Sequence, residues 1–499
     1  MATATNILLF PYLAQGHLIP FLDLAKLLEQ HTHQSSSISI TILSTPLNIQ
    51  NLQSLLPSTS IIHLHSLPFD PVAHGLPPHV ENTDSCPTPS HIHNVSVASR
   101  SLQPQFEEFV TQQLSSNPHL KLYLISDVFF SWTIPIAKKL SIPHAVFTTS
   151  GALGSATFMS MWLHLPHRQT DEEYFWVPGF PDSFRLHRNQ LSHANRVTDG
   201  TDECYKFVSS SIRFSLQSDR MICNTIEELE PLGLQALRAV TGINNICTIG
   251  PLIPLHGAKL YQRAGKKLGI KHEACLQWLD MQPEHSVVYI CFGSQSTITA
   301  AHMLALAEGL ESSEIPFVWV IRPPFGTENY EAKEVDHEDD EKQKMQKWLP
   351  QGFIERITGI KQGLLVWRWA PQLEILTHKA TGAFLSHCGW NSTLESLSRG
   401  VPLIGWPMAA EQFFNAKMLE EELGVLVEIN RGIEHELESR EVERVVKEVI
   451  SGEKGKEMRN RAAICKEIMR NAVAKNEEIG KKGSSLRSLD KLVNFFMNH

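Results

Sequence analysis

Positive charge is in short supply: 44 Lys and Arg against 53 Asp and Glu leave a formal net charge of −9. That balance gives no footprint for nucleic acid or for an anionic membrane surface. Cysteine is sparse and unpatterned, with eight residues and no paired spacing, and no charged leader precedes the brief apolar run NILLF (6–10). Disulfides and secretion are therefore not expected, and the cytosol is the simplest compartment. No internal repeat stands out. The stretch from His63 to His93 is rich in His and Pro, yet no carboxylate or Cys pattern completes a metal site there, and it reads as a loop beside the ligand-binding side of the first half. The charged run 328–344, ENYEAKEVDHEDDEKQK, lacks apolar anchors and reads as a solvated insertion.

The 499 residues exceed one ordinary core, so two domains are the natural expectation. Short β-rich runs alternate with helical stretches in both halves: SISITIL (37–43), KLYLIS (121–126), HAVFTT (144–149), VVYICF (287–292), FVWVIR (317–322), GLLVW (363–367) and GVLVEI (424–429). This alternation predicts an α/β chain with two parallel sheets. The break is expected in 251–272, which contains Pro and Gly and is basic and weakly periodic. Residues 1–250 would then form the first domain and 273–475 the second. In the last segment, Leu486, Leu489, Leu492, Val493 and Phe496 share a helical face that something must cover. That segment is too short and too charged to span a membrane.

The most informative run extends from Trp369 to Gln412. GAFLS (382–386) and VPLIGW (401–406) suit strands buried on both faces, and HCGWNSTLE (387–395) turns between them into a helix. Asn391, Ser392 and Thr393 are capping types, so the helix is expected to start among them and to end at Gly400. A strand feeding a helix N-terminus aims backbone N–H groups and the positive end of the dipole at one point, which favours an anion. Most capped helices hold no ligand, and strand–turn–helix units are common. What favours a site is the decoration at the strand ends, where open parallel sheets bind ligands: His387 after one strand, Glu411 and Gln412 after the next, Trp369 near the end of GLLVW.

Within this segment WAPQ, SHCGWNS, LES, GVP, WP and the terminal acid followed by Gln stand at one spacing. It resembles, from first residue to last, the signature box of plant family 1 UDP-dependent glycosyltransferases. QGH near the start, NTIEELE (224–230), IGP (249–251) and FGS (292–294) extend the resemblance over nearly the whole chain. The resemblance implies two Rossmann-like doubly wound domains facing across a cleft, the GT-B fold, with the acceptor in the first and the donor mainly in the second. It also implies that the final segment, 476–499, packs back on the first domain. Trp369 would stack on uracil while the Ala370 backbone pairs with its edge, and Gln372 and Glu395 would hold the ribose. His387, Asn391 and Ser392 would meet the diphosphate, and Trp390, Glu411 and Gln412 the sugar. Thr149 matches a position that touches the donor sugar, though a capping or buried hydroxyl would explain it nearly as well. The family often has Asp where this chain has Glu411, and Gln412 resembles the glucose-using pattern, where His is associated with galactose.

A nucleotide pocket could serve binding alone, so catalysis has to be sought elsewhere. NILLF reads as a strand, PYLAQGH (11–17) as a loop and IPFLDLAKLLEQ (19–30) as an amphipathic helix, which sets His17 at a strand-to-helix turn. Asp127 directly follows KLYLIS, so both residues would lie along one rim of a doubly wound sheet. An imidazole titrating near pH ~6.5 can take a proton from an acceptor hydroxyl, and an aspartate behind it would fix the tautomer. A random one of the 24 histidines is rarely catalytic, and a strand-end Asp is often merely a cap. The resemblance matches His17 to the family's general base and Asp127 to its partner. It implies single displacement with inversion at the anomeric carbon. The charge on the leaving diphosphate would be met by the Asn391 helix terminus, His387 and the loop at Ser294. No Asp-x-Asp triplet is present to hold a divalent ion, so no metal and no cofactor beyond the UDP-sugar co-substrate is expected.

The expected partners are thus a UDP-sugar and a small hydroxylated acceptor such as a flavonoid, another phenolic or a terpenoid, with no nucleic acid and no stable membrane insertion. A monomer is expected. FFSW (129–132) and FMSMW (158–162) could line an apolar acceptor pocket or be core. Two rivals are a nucleotide-sugar-binding protein without turnover and an NAD-dependent oxidoreductase. Intact His17 and Asp127 speak against the first, and the absence of G-x-G-x-x-G after the first strand against the second.

Overall fold

The computed structural model describes residues 5–32, 38–86, 88–254, 265–325, 343–476 and 481–498. The charged run 328–344 lies outside them apart from its last two residues, as does 255–264 within the expected linker. The chain divides into two compact units: Met1–Arg188, Ala194–Ile253 and Met469–His499 form the first, and Asn189–His193 with Pro254–Ile468 the second. The short piece Asn189–His193 carries no sequence signal for its assignment.

In the first unit the strands are β1 (Thr5–Phe10), β2 (Ile38–Ser44), β3 (Ile62–Ser66), β4 (Lys121–Asp127) and β5 (His144–Thr148). A small antiparallel hairpin, β6 (Tyr174–Trp176) with β7 (Arg185–His187), precedes β8 (Arg220–Cys223) and β9 (Ile246–Thr248). The main sheet is parallel throughout, in the order β3-β2-β1-β4-β5-β8-β9. Every residue of β1 is buried, as a strand covered on both faces requires. The chain leaves β1 toward β2 and β3, then returns to the other side with β4. The gap between β1 and β4 is therefore the topological switch point, where the loops diverge and leave a crevice at the carboxyl ends.

The apolar face expected near the C-terminus is covered within this unit. Helix Ser484–Asn498 buries Leu489, Leu492 and Phe496, together with Phe495, in the same cluster as Ile7, Tyr123 and Ile222. Ser485 donates its hydroxyl to the Gly250 carbonyl at 2.5 Å, and the Arg220 guanidinium stands 4.3 Å over the Phe495 ring. The His-rich segment is not all loop: His63 and His65 lie on β3, and Pro89–Ala98 is a helix.

The second unit repeats the plan with β10 (Val287–Cys291), β11 (Phe317–Ile321), β12 (Gly363–Trp367), β13 (Thr381–Ser386), β14 (Leu403–Gly405) and β15 (Leu426–Glu428). Its order is β12-β11-β10-β13-β14-β15, again all parallel. The switch point lies between β10 and β13, where Cys291 is in register with Ser386. The chain thus has the expected α/β architecture of two Rossmann-like doubly wound domains. VPLIGW delivers a shorter strand than its apolar run implies, because only Leu403–Gly405 pair with neighbours.

Candidate functional site

Each switch point gathers candidate residues. In the first unit β1 runs into a short loop, and helix Gln15–Thr32 begins two residues before His17. Asp127 ends β4 and is fully buried, while His17 keeps 21% of its side chain exposed. His17 Nδ1 lies 2.7 Å from Asp127 Oδ2, and Asp127 Oδ1 accepts the Phe129 N–H at 2.9 Å. With both oxygens engaged, the carboxylate has a fixed orientation. A proton on Nδ1 directed at the carboxylate leaves Nε2 as the basic nitrogen of the neutral ring.

Thr149, next after β5, places its hydroxyl 3.4 Å from the same Nδ1. Its turn is held from behind. The Glu230 carboxylate accepts the N–H groups of Ala152 and Leu153 at 2.9 and 3.0 Å, doing for helix Ala152–His164 what its capping residue, Gly151, cannot. Aromatic rings flank the imidazole: Tyr12 at 5.4 Å and 72°, Phe129 at 5.7 Å. Tyr12 is fixed by a 2.6 Å hydrogen bond between its hydroxyl and that of Ser96, on helix Pro89–Ala98, which begins at the end of the His-rich segment. Of FFSW and FMSMW, Phe130, Trp132, Met159, Met161 and Trp162 are core, whereas Phe129 and Phe158 remain half-exposed, edge to face at 6.3 Å.

In the second unit the helix of the signature run starts earlier than expected. It spans Trp390–Leu397 with Gly389 as its capping residue, so Asn391 and Ser392 sit inside the first turn and Thr393 is buried. Packing overrides capping preference here. A Cβ at Gly389 would lie 2.4 Å from His387 Nε2, and one at Gly293, in the turn after β10 with φ +75°, would lie 2.6 Å from it. The imidazole is lodged between two glycines. Burial, and secondarily the nearby Arg322 guanidinium, depress its pKa to about 4, so it is neutral near pH 7. Its Nδ1 has no hydrogen-bond partner among the described residues. Arg322, the first residue beyond β11, donates to the Gly293 carbonyl at 2.9 Å. In the sequence Arg322 is only the last residue of the run FVWVIR, and its place at a carboxyl strand end is the one available signal. Ser294 follows Gly293 and is half-buried.

The other second-unit candidates divide into those brought together and those buried apart. Gln372 Nε2 donates to Glu395 Oε2 at 2.6 Å and to Ser392 Oγ at 3.3 Å, and Tyr289, which the sequence did not single out, donates its hydroxyl to Gln372 Oε1 at 3.1 Å. The expected ribose pair is thus one connected group. Trp369 is half-buried in the turn after β12, which passes through Arg368 at φ +60°, and Ala370 is buried beside it. Trp390, the first residue of the helix, is buried, only 3% exposed. Glu411 and Gln412 begin helix Gln412–Lys417 and are half-buried. The Gln412 amide oxygen accepts the N–H groups of Met408 and Ala409 at 3.0 and 2.9 Å.

A family model described as UDP-glucoronosyl and UDP-glucosyl transferase matches residues 265–465. UDP-glycosyltransferase 92A1 of Arabidopsis thaliana is 41% identical over 491 residues, covering 98% of this chain and 96% of that protein. Crocetin glucosyltransferase 3 of Crocus sativus is 45% identical over 494 residues, covering 98% of both. Among solved structures, that of UGT2 from Phytolacca americana, complexed with UDP-2fluoro-glucose and pterostilbene, superposes with a TM-score of 0.76 at 28% identity, covering 99% of this chain and all of that one. Full-length identity of this order, on a fold of two Rossmann-like domains, shows that the chain belongs to the UDP-glycosyltransferases, the enzyme family of UDP-glucuronosyl and UDP-glucosyl transferases from plants that its signature run resembles.

Proposed function

We propose that the protein transfers a sugar, glucose in preference, from UDP to a hydroxyl of a small apolar acceptor, with inversion at the anomeric carbon and His17 as general base. The observation that carries this reading is the His17–Asp127 pair: a 2.7 Å hydrogen bond at a switch point, with a partly exposed imidazole backed by a buried carboxylate and flanked by aromatic rings. In the reaction, Nε2 takes the acceptor's hydroxyl proton while its oxygen bonds to the anomeric carbon. The bond to the β-phosphate oxygen breaks, and UDP leaves with that electron pair. Asp127 stabilises the imidazolium formed.

The donor is assigned to the second unit: Trp369 and Ala370 to uracil, Gln372 and Glu395 to ribose, Ser294, His387, Asn391 and Ser392 to the diphosphate. Thr149, Trp390, Glu411 and Gln412 are each assigned to the sugar. Charge developing on the diphosphate is met by N–H donors at the start of helix Trp390–Leu397 and by the neutral His387, so turnover needs no divalent ion. The glucosyltransferase among the relatives and the UDP-2fluoro-glucose bound by the similar structure support glucose as donor. Half-exposed Phe129 and Phe158 favour an apolar acceptor, and a phenol, with pKa ~10, asks less of His17 than an aliphatic alcohol.

The test is purified protein with UDP-glucose, other UDP-sugars and a panel of phenolic and terpenoid acceptors, read by mass spectrometry beside His17→Ala and in the presence of a chelator. Product from the parent with chelator present, and its loss in the variant, is the expected result. Undiminished transfer by His17→Ala would remove the general-base assignment.

A further inference from the structure

We infer that Asn415, which lies outside the signature run, is a positioning residue that sets the direction of a peptide dipole in the diphosphate cradle. The inference rests on the donor assignment just proposed. Asn415 stands on helix Gln412–Lys417 and is 1% exposed. Its side-chain N–H donates to the carbonyl oxygen of Cys388 at 3.0 Å. The acceptor fixes which end of the amide is which, because an amide oxygen turned toward that carbonyl would be repelled.

Cys388 is the residue between His387 and Gly389. In a trans peptide the carbonyl and the following N–H point in opposite directions. Holding the Cys388 oxygen against Asn415 therefore turns the Gly389 N–H to the other side, so that Asn415 governs which pole of this peptide lies on the side away from it. Reversing the peptide would exchange the donor there for a carbonyl oxygen, which repels an anion. Cys388 sits at φ +62°, a left-handed conformation that residues other than glycine avoid, so the turn is strained and the bond from Asn415 helps to hold it against relaxation. Cys388 is tied further by its N–H to Ser386 Oγ at 3.2 Å and by its thiol to the Ser386 carbonyl at 3.6 Å, and the Gly389 carbonyl accepts the Thr393 N–H at 3.0 Å. Asn415 also donates its own backbone N–H to the Glu411 carbonyl at 2.9 Å. One helical turn thus ties the residues assigned to the sugar, Glu411 and Gln412, to the turn assigned to the diphosphate.

The inference is tested with full-length Asn415→Ala and Asn415→Asp, titrated with UDP by calorimetry and with uridine, which lacks the diphosphate, by ligand-observed NMR. Loss of one hydrogen bond to a buried carbonyl should weaken UDP about tenfold in Asn415→Ala. Asn415→Asp should weaken it further, because a carboxylate facing the Cys388 oxygen drives the peptide over. Uridine affinity should be unchanged in both. If a variant is less stable, the UDP-induced and uridine-induced shifts in its own melting temperature give the same comparison. UDP affinity within twofold of the parent, or uridine weakened by the same factor as UDP, overturns the inference. A parent protein that binds neither ligand overturns the donor assignment itself, and this inference with it.

Discussion

The two switch points share one topology and hold opposite chemistry. Between β1 and β4 the first unit places two ionisable side chains in contact, one buried and one partly exposed, so that a proton can be held and moved. Between β10 and β13 the second unit places an imidazole kept neutral by burial beside a glycine-capped helix start, an arrangement that donates hydrogen bonds without changing its charge. A doubly wound sheet supplies the crevice in either case. What differs is which residue types the diverging loops deliver: His and Asp in one, Gly, His and backbone in the other.

The comparison breaks most readily at the first switch point. His17→Ala should lower kcat by about a thousandfold, within the range for loss of a general base, and leave UDP affinity unchanged by calorimetry. Asp127→Asn should lower kcat almost as far, since the amide cannot stabilise the imidazolium. A parallel fall in UDP affinity would mean that the two switch points do not divide the work. At the second, Gly389→Ala inserts a methyl group where His387 Nε2 stands, although its φ of −63° suits alanine. We expect KM for the UDP-sugar to rise about a hundredfold, KM for the acceptor to hold, and the fold to lose about 1–3 kcal/mol from overpacking. Initial-rate kinetics and thermal melts read both.

A smaller effect is expected from Glu395→Gln, which replaces a carboxylate by an amide in the Gln372–Ser392–Glu395 group. About a tenfold loss of UDP affinity, smaller against a 2′,3′-dideoxyribose analogue of UDP, would tie the pair to the ribose hydroxyls. The smallest effect concerns pH. The folded-state pKa of His387 lies below its unfolded value, so between pH ~6.5 and about 4 the unfolded chain binds the extra proton and stability falls as pH falls. His387→Gln should flatten that part of the dependence of Tm on pH. An unchanged slope would mean that this imidazole is not held neutral.

Most of the architecture was legible because parallel strands buried on both faces read as unbroken apolar runs. NILLF, KLYLIS, GAFLS and VVYICF all became strands within a residue or so of their limits. His17, Asp127 and His387 could be singled out because each stands where an apolar run gives way to a turn. The start of the helix at Trp390 was not legible, because capping preference is a local rule and the close approach of His387 to Gly389 is a tertiary fact. Nor was the fate of the aromatic residues: composition cannot tell a core Trp390 from a half-exposed Trp369, or Phe130 from Phe129. The roles of Arg322 and Asn415 were not legible either, because they lie in partners distant in sequence, Gly293 and Cys388.

The imidazole held between Gly293 and Gly389 also constrains how this site can vary by descent. Three positions, one of them far from the other two in sequence, can change only as a set: a larger residue at either glycine is compatible with the fold only where position 387 has first become small. Among relatives, bulk at the two glycines and histidine at the third should therefore be mutually exclusive. In the laboratory the same rule appears as a strong interaction energy, with Gly389→Ala damaging in the parent and close to neutral once His387 has been replaced by serine.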